Sequence, residues 1–434
     1  MPAVSKLNPA GKASPHGGRL RLELRDPTHA FASAKRMARA AWESRGWSFR
    51  GYRKYRNDSR YDLSAVARGF QERVEHDERA DEALLRRICR AYSEAIAAQE
   101  IAHAAYQPTA WWQQQRDLML SPLMRELGEQ DIPALRRMYA NFFRDDCATG
   151  LLPVQRMKGG YFGSNASNFY RRLYLIDALY RLDYWKAQTG GKYSVRDLAG
   201  PAIGNPFGVV LDETLVRSGS EYQHYSAQRV ADLLPAGDAV VAEIGGGFGG
   251  MAYYLLRDRP DTAYIDFDVP ESIALTSYYL MKAFPHLHFV LYGEAEITAT
   301  TIQEADVLLL PVCAMGNVPE HIADVSFSSH AVSDLSVEAL LEYMDQTAHF
   351  TRRHLLYVGH AQAARTIAGI GKVSGGARFT LLNTRASHWN SHMAPESSPV
   401  ECLYEVEPWP VEAAGNDLHR ARPDEARTGE EISR

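Results

Sequence analysis

The stretch VVAEIGGGFGG, Val240 to Gly250, opens as a short apolar run, passes an acid, and gives five of its last six positions to glycine. Read with its neighbours, DAVVAEIGG is a buried strand and GGMAYYLLRDRP is the helix that follows it. Glycines at such a junction permit backbone angles closed to other residues and let a ligand approach the main chain. Outward from there the rhythm repeats. TAYIDFDVP reads as a strand, ESIALTSYYLMKAFP as a helix and LHFVLYG as a strand, after which DVLLLPV, ADVSFSS and RHLLYVGH continue as apolar runs. SVEALLEYMDQTAHFTR supplies a helix before the last of these. Strands alternating with helices of this length predict an α/β fold, a Rossmann-like, doubly wound parallel sheet covered on both faces.

The half before residue 200 has another character. RADEALLRRICRAYSEAIAAQEIAHAAY and FYRRLYLIDALYRLDYWKAQ carry apolar residues at intervals of three and four, the period of helices that bury one face. LAGPAIGNPFGVVLDE, Leu198 to Glu213, is rich in Gly and Pro and reads as a connection. SEYQHYSAQRVADLLPAG is one more amphipathic helix, opened by Ser220 and stopped by Pro235 and Gly237. The expected organisation is a disordered tail over residues 1–18, a helical N-terminal domain over 19–200, a catalytic α/β domain over 201–410 and a disordered tail over 411–434.

Composition narrows the function classes. The 434 residues are 45% hydrophobic, enough for more than one core, and the formal net charge is −5. That balance gives no footprint for nucleic acid; the locally basic, aromatic segment from Arg36 to Arg60 reads as a solvated helix face or a loop. No run is long and apolar enough to span a bilayer and the first residues lack a signal-peptide core, so the expectation is a cytoplasmic protein with no membrane partner. Cys89, Cys147, Cys313 and Cys402 show neither a disulfide framework nor zinc-ligand spacing. A homo-oligomer stays open.

Ligands of open α/β sheets sit outside the carboxyl ends of the strands, where these glycines fall. Gly245, Gly247 and Gly250 match GxGxxG between a strand and a helix, with an acid about twenty residues on. The acid is Asp268 in YIDFDVPE, with Asp266 as the fallback; a carboxylate is a natural acceptor for the hydroxyls of a ribose. A dinucleotide and S-adenosylmethionine both present such a ribose. Glu243 separates them, because an anion before the glycines suits an ammonium and a sulfonium better than a pyrophosphate.

EIGGGFGG followed by FDVPE resembles the class I S-adenosylmethionine-dependent methyltransferases, and the order of segments through SHAVSDLS and RHLLYVGH is similar to sugar O-methyltransferases of bacterial natural-product and polysaccharide pathways. The resemblance covers roughly Asn205 to Tyr404. It implies that Glu243, Gly245, Gly247 and Gly249 line the methionine end of the cofactor and that Asp268 holds the ribose. Gly293 and Glu294 would lie near the adenine, with Pro311 and Val312 as rivals because DVLLLPV leaves the strand count ambiguous. Tyr222, His224 and Tyr225 are placed where such enzymes often close over the cofactor.

Methyl transfer to a hydroxyl needs an aligned oxygen and a base. His330 follows a buried strand at the ligand edge, and Asp334 stands four residues on, where a helical turn would bring the acid to the imidazole. The family more often shows an aromatic and a Glu-Met pair where this chain has Val332, Asp334 and Leu335, so Asp334 and His330 both stand as candidate bases, with His360 as another. His388, Trp389 and His392 form a further cluster. No compact carboxylate cluster calls for a metal. QPTAWWQQQ, Gln107 to Gln115, combines a stacking surface with amides, and MKGGYFGSNASNFY is a candidate lid. The expected protein is an O-methyltransferase acting on a hydroxyl of a sugar or glycosylated small molecule. The alternatives are a polyketide or phenolic acceptor, an NAD(P)-dependent oxidoreductase, and a non-catalytic scaffold.

Overall fold

The computed structural model describes residues 46–74, 80–158, 160–162, 167–373, 378–390 and 399–407. The tails expected at 1–18 and 411–434, His392, and parts of the basic segment and of the candidate lid lie outside the described residues. The chain divides into two units at Tyr61/Asp62. In the first, residues 46–55 are helical and Lys54 Nζ lies 4.6 Å from the Tyr55 ring.

The second unit is built on an eight-stranded sheet. Its members are β3 (Ala239–Ile244), β4 (Thr262–Asp268), β5 (Phe289–Leu291), β6 (Val307–Pro311), β7 (Ala323–Ser329), β8 (Thr351–Gly359), β9 (Arg378–Ala386) and β10 (Val400–Glu407), in the spatial order β5-β6-β4-β3-β7-β8-β10-β9. A separate hairpin of β1 (Gly208–Leu211) and β2 (Thr214–Arg217) precedes them. Strands β3 to β8 pair in parallel; β10 runs antiparallel to both β8 and β9. The α/β class and the doubly wound sheet expected from the alternation are thus observed, with an antiparallel edge added. The chain moves outward from β3 to β4, then returns to lay β7 on the other side of β3. That reversal is the topological switch point at which such sheets bind ligands.

Alternation along the strands sorts the side chains into two cores, as a period of two requires. Val241, Tyr264, Val307, Leu309, Val325 and Phe327 join one core; Ala242, Ile244, Ile265, Phe267, Leu308 and Leu310 join the other. On the first face lie α1 (Ala80–Ile101), α5 (Gly250–Asp258) and α6 (Pro270–Ala283), contributing Leu85, Ile88, Met251, Leu255, Tyr278 and Tyr279. Between α1 and α5 in the chain come α2 (Ala110–Gln115), α3 (Asn168–Gln188) and α4 (Ser220–Ala231). On the second face lie α8 (Val337–Phe350) and α9 (Ala361–Val373), after the short α7 (Ala299–Glu304). α1, although it precedes residue 200, therefore shares a core with the sheet.

The strand count ambiguous in the sequence resolves into an inserted strand. β5 takes the sheet edge, and α7 brings the chain back so that β6 pairs between β5 and β4. Every residue of β6 is buried, which accounts for the uninterrupted apolar run VLLLP. Among the described residues no helix is long and apolar enough to cross a membrane.

Candidate functional site

At the switch point the carboxyl ends of β3, β4, β6 and β7 open into a cleft of about 430 Å³. One wall is sheet: Gly245, Gly247, Asp268, Val269, Val312 and Ser329. The facing wall comes from the residues around α2, from Tyr106 to Trp112, together with Gly150 and Leu151. His330, Asp334, Leu335 and Tyr343 close the end.

The glycine turn is shaped by what stands against it. Gly245 has φ 83°, and a Cβ there would come within 2.1 Å of the Ala331 Cβ, so the loops after β3 and β7 touch only because this side chain is missing. Gly247 has φ 66°, and its missing Cβ faces nothing nearer than Leu151 at 4.0 Å, which leaves its backbone bare to the cleft. Gly249 instead caps the N-terminus of α5 and packs on Leu280 and Thr276, away from the cleft wall. The Thr276 hydroxyl donates to the Gly247 carbonyl at 2.6 Å and fixes the turn.

Three acids lie under and beside that turn. Register places Glu243 directly across from Asp266 on the same sheet face. The Gly246 N–H donates to Asp266 Oδ1 at 3.0 Å, the Gly247 N–H to Asp268 Oδ2 at 2.9 Å, and the Val269 N–H to Asp268 Oδ1 at 2.7 Å. The Tyr264 hydroxyl donates to Glu243 Oε2 at 2.6 Å. Among the described residues none of the three carboxylates forms an ion pair with a lysine or arginine. Burial pushes Glu243 up to about 8 and Asp268 up to about 7, and it raises Asp266 well above the carboxylate range, where the charges of Asp268 and Glu243 add to it. Asp266 Oδ2 has no hydrogen-bond partner. Asp268 lines the cleft, whereas Glu243 and Asp266 sit beneath it.

His330 stands at the end of β7 with φ 67°, a left-handed conformation uncommon outside glycine and held here by its N–H donating to the Val358 carbonyl at 2.7 Å. Burial and the neighbouring His360 lower its affinity for a proton, so the ring is neutral near pH 7. The expected helical pairing with Asp334 does not form. Residues Ala331–Asp334 make a tight 3₁₀ turn, and the Asp334 carboxylate lies 3.6 Å from His360 Nδ1 instead. His360 itself lies off the cleft wall, its N–H donating to Ser333 Oγ at 3.3 Å.

The other expected residues scatter. Glu294 is held away from the cleft by Arg87, which donates to both its oxygens at 2.6 and 2.7 Å, while the Leu291 N–H donates to it at 2.8 Å. Val312, its rival, lines the cleft beside Val269. The Tyr222 hydroxyl meets Ser329 Oγ at 2.6 Å and so supports the wall from behind. Tyr225 is buried against β10, donating to Glu401 Oε2 at 2.7 Å. His224 is buried and accepts from Trp185 Nε1 at 3.2 Å. Trp389 is buried among Tyr184, Tyr222 and Tyr225, and the His388 backbone is tied to Tyr184 and Tyr180. Among the described residues no group of three or more His, Cys, Asp or Glu side chains is arranged to hold a metal.

Sequence reasoning missed Ser329, Tyr343 and Tyr106. Ser329 carried a signal, the residue at a strand's carboxyl end beside His330; the tyrosines carried none, since their rings meet 5.5 Å apart only in the fold, where the Tyr106 hydroxyl donates to the α8 acid Glu342, 236 residues on. The tryptophan pair is on the cleft as its composition suggested.

No family model and no curated protein matches the chain. Solved structures do resemble it. A magnesium protoporphyrin IX methyltransferase from Synechocystis PCC 6803, solved with bound SAM, is 10% identical over 53% of this chain and 97% of its own, with a TM-score of 0.31. A TehB-like SAM-dependent methyltransferase from Corynebacterium glutamicum ATCC 13032 Kitasato is 10% identical over 53% and 98%, with a TM-score of 0.30. M. jannaschii TYW2 in complex with AdoMet is 12% identical over 42% and 75%, with a TM-score of 0.27. Likenesses of this size decide nothing about what the chain binds.

Proposed function

We propose that the cleft binds S-adenosylmethionine and that the protein is an O-methyltransferase acting on a small hydroxylated acceptor, a sugar or glycosylated natural product. The observation that carries the reading is the set of three adjoining acids, Glu243 and Asp266 buried and Asp268 half-buried on the cleft wall, with no lysine or arginine paired to them among the described residues. Burying carboxylates together is costly unless a positive group joins them. An ammonium and a sulfonium supply that charge. A pyrophosphate does the opposite, and two of the turn amides that would cradle it, those of Gly246 and Gly247, already donate to Asp266 and Asp268. This argues against the oxidoreductase reading.

The residues fit the cofactor's parts. Asp268 accepts two backbone N–H bonds and, as a carboxylate with about four acceptor positions, retains capacity for ribose hydroxyls. Val269, Val312 and Tyr343 offer apolar surface beyond it, and the bare Gly247 backbone admits the methionine end. The bound cofactor supplies an electrophilic methyl group. His330, neutral and at the cleft end, would take the proton of the acceptor hydroxyl as that oxygen displaces S-adenosylhomocysteine from the methyl group. Asp334 stands at the same end as the rival base and holds His360 nearby.

Calorimetric titration with S-adenosylhomocysteine, with NADH as the control, tests the reading. Binding of the first at micromolar concentration and none of the second is expected; the reverse would overturn it.

A further inference from the structure

We infer that the acceptor is an uncharged ring that lies on Trp111, and that phosphorylated, nucleotide-linked or carboxylate-bearing forms are refused. This rests on the methyltransferase reading and adds the acceptor's class. The first observation is a platform. Trp111 is 52% exposed at the cleft, an unusual display for the largest side chain, and its ring lies 5.7 Å from that of Trp112. Trp112 cannot follow a ligand, because its Nε1 donates to Glu271 at 2.6 Å and its ring fills the space that a Cβ on Gly150 would take. The approach to α2 is equally fixed: the Gln107 amide donates to the Gln99 and Ala102 carbonyls, and Thr109 Oγ1 caps the helix by accepting the Trp112 N–H. An exposed indole on a rigid base is a preorganised stacking surface for the apolar face of a sugar or an aromatic ring.

The second observation is charge. The charged or titratable side chains on the cleft wall, besides the two tyrosines, are Asp268, His330 and Asp334; no lysine or arginine lines it among the described residues. Arg116, the cation nearest the platform in the chain, is spent on Glu271 and Gln99. Recognition of a phosphate or carboxylate takes a guanidinium, an ammonium or a set of free amides. The wall offers acids, and the Gly246 and Gly247 amides are engaged. An acceptor bringing an anion of its own, beyond the carboxylate the cofactor already carries, would lose hydration near Asp334 with no lysine or arginine on the described wall to offset the loss.

The test uses the full chain, loaded with S-adenosylmethionine for turnover and with S-adenosylhomocysteine for binding. Matched acceptors are compared: methyl glucoside against its 6-phosphate, and catechol against 3,4-dihydroxybenzoate. The glucoside and catechol arms tell a sugar face from an aromatic one. The neutral member of at least one pair is expected to bind and be methylated while its anionic partner is at least ~10-fold poorer. Trp111→Ala should raise KM for the neutral acceptor ~10-fold with kcat little changed, and Trp111→Phe should recover most of it. S-adenosylhomocysteine affinity and the melting temperature of Trp111→Ala should match the parent. Preference for the anionic members, an unchanged KM in Trp111→Ala, or no methylation of any member by a protein that binds S-adenosylhomocysteine would overturn the inference. Absence of S-adenosylhomocysteine binding would instead sink the methyltransferase reading beneath it.

Discussion

Glu271 and Asp268 stand three residues apart at the junction of β4 and α6, the first buried and the second half-buried at the cleft, and the chain treats them in opposite ways. Glu271 receives a cation of its own. Arg116 donates to both of its oxygens, at 2.6 and 2.8 Å, and Trp112 adds a third bond. Asp268 receives backbone amides but no lysine or arginine among the described residues, and its neighbours Asp266 and Glu243 are also acids. A carboxylate that is part of the scaffold is neutralised from within. One left half-buried at a cleft beside two buried acids, without a cation, is set up for a charge that arrives from outside. The difference separates structure from binding across a few ångströms of main chain.

The largest expected effect breaks the scaffold half of that comparison. Arg116→Ala leaves Glu271 buried and uncompensated, and should cost about 3–5 kcal/mol of stability, read as a drop in the urea midpoint with an unchanged slope. The pair joins residues 155 positions apart, so its loss should also free Trp112 and weaken acceptor binding. A midpoint that does not move would mean that Glu271 escapes to water, and the contrast with Asp268 would lose its meaning.

On the binding half, His330→Ala should leave S-adenosylhomocysteine affinity nearly intact and reduce turnover by ~10²-fold. Normal turnover would pass the role of base to Asp334, which also lines the cleft. Asp268→Ala should weaken cofactor binding by about 1–3 kcal/mol, the scale of hydrogen bonds to a charged group. Unchanged affinity would move the ribose site elsewhere, and Asp266 is a poor heir because it lies beneath the turn with one oxygen held by Gly246.

The sequence made the sheet's centre legible because strand β3, the glycine turn and α5 are contiguous, and local period is all that contiguity needs. Asp268 and His330 were legible for the same reason: each sits at the carboxyl end of a strand that could be read. What escaped was set by contacts between distant segments. The β1–β2 hairpin was hidden in a Gly- and Pro-rich stretch, and β10 inserts between β8 and β9 out of chain order. Placement of β6 inside the edge strand β5 decided that Val312, not Glu294, faces the cleft, and no local pattern encodes that choice. Asp334 turned to His360 because the residues after His330 close a 3₁₀ turn instead of an α-helical one, so positions i and i+4 no longer share a face.

The smallest signal, a fraction of a proton, sharpens the comparison most. Glu243 and Asp268 hold protons up to about 8 and about 7 in the folded chain, far above their ordinary values of 4.5 and 3.8. At low pH both are protonated whether the chain is folded or not, and they cost nothing. As pH climbs past the ordinary values the unfolded chain releases its protons while the folded chain keeps them, so these groups make folding progressively less favourable, and the loss levels off above about 8. A cation settling among them reverses the cause of the shift and expels the protons. Binding of S-adenosylmethionine near pH 7 should therefore release protons and should tighten as pH rises toward 8, by no more than about tenfold per unit for each proton released. Calorimetry in two buffers of different ionisation enthalpy counts those protons directly. Release that fades above pH 8 would tie it to Glu243 and Asp268, whereas equal heats in both buffers at pH 7 would mean that they were ionised before the ligand arrived, and that the chain had already found a way to keep unpaired charge under its glycine turn.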